Sequence, residues 1–110
     1  MIENFEELEK NEAKRILKDF NIPINWLGYK FAATAIPYVI EKICSDEKIV
    51  FRDLYKYVSQ KHKTTANKVD YAIRYLHENT DIAKKLNEER LTNQTLLLKL
   101  ADLVMQNLNM

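Results

Sequence analysis

A single glycine, Gly28, and two prolines, Pro23 and Pro37, are all that this chain of 110 residues offers for tight turns. Hairpins, phosphate-cradling loops and barrel corners draw on glycine for backbone conformations that other residues resist, which excludes β-rich and nucleotide-loop architectures. Leu, Ile, Ala, Glu and Lys abound instead, as they do in helices. With 46% hydrophobic residues the chain is long enough to bury one modest core, so a single all-α domain over residues 1–110 is expected.

Several function classes fall away on residue counts. Cys44 is the only cysteine, so no internal disulfide forms, and with only His62 and His77 there is no cluster of zinc ligands. No metal or cofactor is expected, and a reduced, cytoplasmic setting fits. No apolar run is long enough to span a membrane, and the stretch from Met1 to Glu7 is acidic where a signal peptide is basic and then apolar.

Hydrophobic spacing predicts about six helices. From Phe5, the residues Leu8, Ala13, Ile16, Leu17 and Phe20 recur at intervals of three and four, and Asn21-Ile22-Pro23 ends that helix. Asn25-Trp26-Leu27-Gly28 reads as a linker. Tyr29 to Cys44 is apolar on more than one side, as a central buried helix is, and Pro37 inside it predicts a kink or break. After a polar turn at 45–48, helical spacing resumes at Val50, Phe51, Leu54, Tyr55 and Val58 up to Lys61. Beyond the turn His62-Lys63-Thr64, either Thr64 or Thr65 is a natural N-cap for a helix with Ala66, Val69, Ala72, Ile73 and Leu76 inward, stopped by Asn79-Thr80-Asp81. Asp81 is placed to cap a short helix from Ile82 to Leu86. Thr92-Asn93 does the same for a last helix with Leu96, Leu97, Leu100, Val104 and Leu108 facing the core.

The net charge of +1 hides an uneven distribution. Between Lys48 and Lys85 nine basic residues face four acidic ones, while segments 1–20, 21–47 and 86–110 carry −2, −1 and −1. A basic middle third either forms a solvated helix surface or binds phosphate with one face. Within it, residues 51–79 have the pattern of a helix-turn-helix: two short helices, a brief turn, and a second helix capped by threonine with polar residues outward. Ser59 is small enough to let the helices cross closely, and Val69 and Ile73 are branched enough to lock the crossing. In a major groove, Asn67 and Lys68 reach base edges, Arg74 takes guanine or a phosphate, and Thr64, Thr65 and backbone N–H groups meet phosphate. Arg52, Lys61 and Lys63 add charge beside them. Tyr71 and Tyr75 either touch DNA or pack on a neighbouring helix. Asp70 repels phosphate unless it accepts from a cytosine N4 or orients Lys68 or Arg74, so it is either a specificity residue or a sign against binding.

These residues resemble a known family. Leu54-Tyr55, and then Thr64-Thr65-Ala66-Asn67-Lys68-Val69-Asp70-Tyr71-Ala72-Ile73-Arg74, resemble the helix-turn-helix of the C-terminal effector domains of stage-zero sporulation A regulators. Asn21-Ile22-Pro23, Gly28-Tyr29-Lys30-Phe31 and Ala35-Ile36 resemble that domain's opening, and Leu91-Thr92-Asn93-Gln94 with the run from Leu100 to Leu103 resembles its last helix. The likeness covers about Ala13 to Asn107. It implies a six-helix domain that binds duplex DNA boxes, often as tandem head-to-tail copies, and contacts RNA polymerase or a sigma factor. The family pattern has arginine, valine, glutamate and arginine where this chain has Lys68, Val69, Asp70 and Tyr71. Lysine does not reproduce bidentate guanine readout, and tyrosine offers a hydroxyl and a ring for a thymine methyl or sugar, so a different box is expected. The connection before the last helix is shorter than in the family. No receiver domain precedes the effector segment within these residues, which reads either as a stand-alone regulator or as a fragment, and the Met1 start favours the former as the expectation.

Two functions stay open: a sequence-reading transcription regulator, and a protein-interaction module or decoy of the same fold that binds polymerase, a sigma factor or another regulator. An enzyme is not expected, because no catalytic pairing is visible. Elsewhere His62 is expected in a turn, His77 on the surface, Cys44 as a small apolar residue near a helix end, and Trp26 as a core plug holding the first helix. Glu6, Glu7 and Glu9 are expected as a solvated start, masking the basic face or meeting a partner.

Overall fold

The computed structural model describes residues 5–110, which form six helices and no strand. They are α1 (Phe5–Asp19), α2 (Leu27–Cys44), α3 (Phe51–Lys61), α4 (Ala66–Glu78), α5 (Ile82–Lys85) and α6 (Asn93–Asn107). No described helix is long and apolar enough to cross a membrane.

The scarcity of glycine is met at the helix ends by other residues. Asn21, Asp46, Lys63, Asn87 and Asn109 all adopt positive φ, between 54° and 65°, just after α1, α2, α3, α5 and α6. Asparagine and aspartate tolerate this left-handed conformation because their short polar side chains bond locally. After α1, the Ile22 N–H donates to Leu17 O and the Asn21 N–H to Lys18 O, and the same pair of bonds follows α2, α5 and α6. These are the closing bonds of a Schellman motif, which satisfies the last carbonyls of a helix. Two of the three expected start signals hold. Thr65 accepts from the Lys68 N–H at 3.2 Å and Thr92 from the Thr95 N–H at 3.1 Å, so both threonines cap. Asp81 makes no side-chain cap; the Thr80 hydroxyl takes that place, accepting from the Ile82 N–H while donating to Leu76 O.

α2 is the axis of the fold, packing against α1, α3, α4 and α6. Phe31, Ala32, Ala35, Ile36, Val39 and Ile40 are all buried, because a helix covered on every side has no polar face to present. The helix runs through Pro37 without a break, although proline cannot supply the N–H that would reach the Ala33 carbonyl. The expected linker ends sooner than its composition implied, since Leu27 and Gly28 open α2. Gly28 makes no turn at all. A Cβ there would lie 2.5 Å from the Ala72 carbonyl oxygen and 3.0 Å from Leu76 Cβ, so the missing side chain is what lets α2 and α4 cross.

Polar side chains join the helices where apolar packing stops. Tyr29 donates to the Lys14 carbonyl across α2 and α1, and Asn107 donates to Glu12 across α6 and α1. His62 is more than a turn residue: its Nε2 is 2.7 Å from Thr34 Oγ1 and its ring meets Phe31 edge-on. Burial, then the charges of Lys10 and Lys30, hold its pKa below the ordinary histidine value. Two expectations are corrected: His77 is buried rather than superficial, and Glu9 is 7% exposed rather than solvated. Cys44 stands at the end of α2, where it is exposed. Glu9 follows Phe5 and precedes Ala13 by four residues, so the helical period turns it inward.

Two outcomes follow from this packing. Gly28→Ala should cost about 1–3 kcal/mol in urea denaturation, because backbone must move to admit the methyl group. Burial, then the carboxylates of Glu6 and Glu41, raise the Glu9 pKa, so the folded chain holds that proton more tightly than the unfolded one and loses stability as pH rises through the folded value. Glu9→Gln should therefore raise the thermal midpoint at neutral pH, with the gain vanishing below about pH 4, where the carboxyl is protonated in both states.

Candidate nucleic-acid interface

α3 and α4 form the helix-turn-helix. Ser59 is buried at the crossing and donates to the Lys56 carbonyl, while Val69, Ile73 and Leu76 are fully buried beneath it. Lys63 holds the turn at φ 54°, a conformation costing a side-chain-bearing residue about 1 kcal/mol or more. With the inner face of α4 fixed, Asn67, Lys68, Tyr71, Arg74 and Tyr75 are left exposed on its outer side. Asn67, Tyr71, Arg74 and Glu78 follow one another at helical spacing along that face; Glu78 was not singled out from the sequence.

The two flanks of α4 differ. On one, Trp26 is half-buried with its ring 5.2 Å from Tyr75, edge-on, and Tyr75 lies 6.2 Å from Tyr71. The aromatic contact of Trp26 is thus to α4, where a plug against α1 was expected. This ladder borders an open groove of about 660 Å³ that also takes in Leu27 and Lys68. Tyr71 remains 63% exposed, so its ring is free at the surface.

The other flank is polar and fully paired. Asp70 Oδ1 accepts from Arg74 at 2.8 Å and from the Asn93 amide at 2.7 Å, and the same amide donates to the Asp70 carbonyl at 3.0 Å. With its hydrogens committed to Asp70, Asn93 uses its oxygen to accept from His77 Nε2 at 2.8 Å. The chain His77, Asn93, Asp70, Arg74 thereby ties α4 to the first residue of α6. Of the two roles left open for Asp70, the one the geometry contains is orientation of Arg74. Lys68 has no ion-pair partner among the described residues.

The remaining candidates are spread out. Thr64 is half-buried and Thr65 caps α4, so both stand at its N-terminus, where unpaired N–H groups favour anions. Arg52 is highly exposed on the first turn of α3 and only 3.9 Å from Asp53. Lys61 lies 5.5 Å over the Tyr57 ring, which packs on Tyr38 of α2 and donates to Glu6 of α1, so it stands apart from α4.

Residues 13–103 match the sequence profile of the family described as Sporulation initiation factor Spo0A C terminal. The chain belongs to that family. The Spo0A C-terminal domain is a helical DNA-binding effector domain of a sporulation transcription regulator, not an enzyme family, and the six helices here agree with it. Comparison with curated proteins and with solved structures gives no match.

In this Spo0A C-terminal domain, the residues that sequence reasoning missed are Asn93 and His77. Asn93 was read only as part of a cap, and its bond to Asp70 spans 23 residues. His77 directly follows Leu76 and stands four residues beyond Ile73, a spacing that already turned it inward. Asn93→Ala leaves His77 and Asp70 each short of a partner and should cost about 1–3 kcal/mol in chemical denaturation.

Proposed function

We propose that this domain reads duplex DNA as a transcription regulator, with the first two turns of α4 in the major groove. The observation that carries the reading is the pairing of a buried, polar-anchored inner side with an exposed outer side that holds Asn67, Lys68, Tyr71 and Arg74. In this arrangement Lys68 and Asn67 reach base edges near the capped end. Arg74, held by Asp70, is aimed before DNA arrives, so less side-chain freedom is lost on binding. Thr64, Thr65, Lys63 and Arg52 meet phosphates, which position the helix without reading sequence. Tyr71 offers a ring edge for a thymine methyl group, supported from behind by Tyr75. Lys61 adds to the positive field only. A second copy on a tandem box and the transcription machinery, polymerase or a sigma factor, are the partners in this reading, and the setting is the cytoplasm.

The aromatic groove of Trp26, Tyr71 and Tyr75 supports a second reading, in which the same face holds a protein partner and reads no DNA sequence. Selection of bound duplexes from a random pool at physiological salt separates the two. Enrichment of a short box is expected, and an unenriched pool would favour the protein partner. On the selected box, Lys68→Ala and Arg74→Ala should each weaken binding by about tenfold or more and relax one base position. Arg52→Ala should weaken all sequences alike and lower the salt slope by about 1. Unchanged affinity and preference in both α4 variants would overturn the major-groove placement.

A further inference from the structure

A second cleft, of about 480 Å³, shares no residue with α4 and lies between the start of α1, the middle of α2, Tyr57 of α3 and the C-terminal Met110. Its walls are of two kinds. Phe5, Pro37 and Met110 are apolar, and the Tyr38 and Tyr57 rings lie side by side with centroids 5.1 Å apart. Three glutamates, Glu6, Glu9 and Glu41, complete the lining.

We propose that this cleft binds an organic cation, the ammonium or guanidinium end of a lysine or arginine side chain on a partner protein. Glu9 carries the argument. It is 7% exposed and lines the cleft, yet it has neither a hydrogen bond nor an ion pair among the described residues. No fully buried side-chain oxygen is left unpartnered among the described residues, so the Glu9 carboxylate reaches water only through the cleft; removing most of its water is unfavourable, the like charges of Glu6 and Glu41 add to that, and a cation seated in the cleft relieves both. No described lysine or arginine pairs with any of the three glutamates. Among the described residues, Glu6 accepts from the Tyr57 hydroxyl.

The tyrosines already show this chemistry. Lys42 Nζ lies 5.5 Å from the Tyr38 centroid and Lys61 Nζ 5.5 Å from the Tyr57 centroid, so both rings carry an ammonium group while Lys42 spends its ion pair on Glu47, outside the cleft. A metal ion is a poor match, since no described acidic, histidine or cysteine group is arranged to hold one and most of the exposed lining is apolar. A cation on an alkyl stem fits both halves: methylenes against Phe5, Pro37 and Met110, and charge among the carboxylates.

The test is titration of the 15N-labelled domain, followed by amide shifts, with Nα-acetyl-lysine methylamide and Nα-acetyl-arginine methylamide. The norleucine analogue is the neutral control and spermidine the free polyamine. Saturable shifts confined to Glu9, Tyr38, Glu41 and Tyr57 are expected with the lysine or arginine probe. Glu9→Gln, an isostere expected to fold at least as stably, should weaken that binding about tenfold. Tyr38→Leu should weaken it without removing a carboxylate or the Tyr57 bond to Glu6. Shifts that spread over remote acids such as Glu89 and Asp102 without saturating, equal binding of norleucine, or Glu9→Gln binding as well as wild type would each overturn the proposal. Saturation by spermidine alone would overturn a protein side chain as the source.

Discussion

Everything that presents α4 to a partner depends on how closely α2 and α4 cross. Gly28 supplies no atom beyond its backbone, and the Ala72 carbonyl occupies the space where any other residue would place its Cβ. From that contact the rest follows by packing. Val69, Ile73 and Leu76 reach the core, Ser59 lets α3 come up beside α4, and the outer face of α4 is left exposed. A chain with one glycine has spent it on a helix crossing and closes its helices with asparagine, aspartate and lysine instead.

Packing alone leaves a helix free to rotate by small angles, and polar contacts remove that freedom here. Asp70, Asn93 and His77 form a satisfied network at the edge of the core, which fixes the rotation of α4 relative to α6 and sets the direction of Arg74. An exposed arginine-aspartate pair contributes little stability by itself. Anchored through Asn93 it acts on geometry, holding one guanidinium in place, whereas Lys68 has no ion-pair partner among the described residues. The two cations on the outer face of α4 therefore differ: one is held by an ion pair and one is not.

Charge is sorted across the molecule rather than summed. A formal charge of +1 conceals a basic stretch from 48 to 85 and an acidic first helix. The acidic side closes on itself, with Glu9 drawn into the cleft beside the Tyr38 and Tyr57 rings and Glu12 tied to Asn107 of α6. Two surfaces of opposite character result: a polar and aromatic face on α4, and an acidic, tyrosine-lined cleft that none of the α4 residues touches.

Helix number, helix order, the caps at Thr65 and Thr92 and the inner stripe of α4 were legible in the sequence, because period, capping chemistry and turn propensity act over a few neighbouring residues. So was the family, through short motifs kept in order. The purpose of Gly28, the anchoring of Asp70 by Asn93, the interior place of His77 and the burial of Glu9 were decided by tertiary structure. Each depends on a partner from another helix, and sequence spacing carries no information about which helix will lie opposite. Local physics thus determined that α4 exists and which side of it faces inward; only the packing of α2 and α6 against it decided which outward groups are held and which stay free.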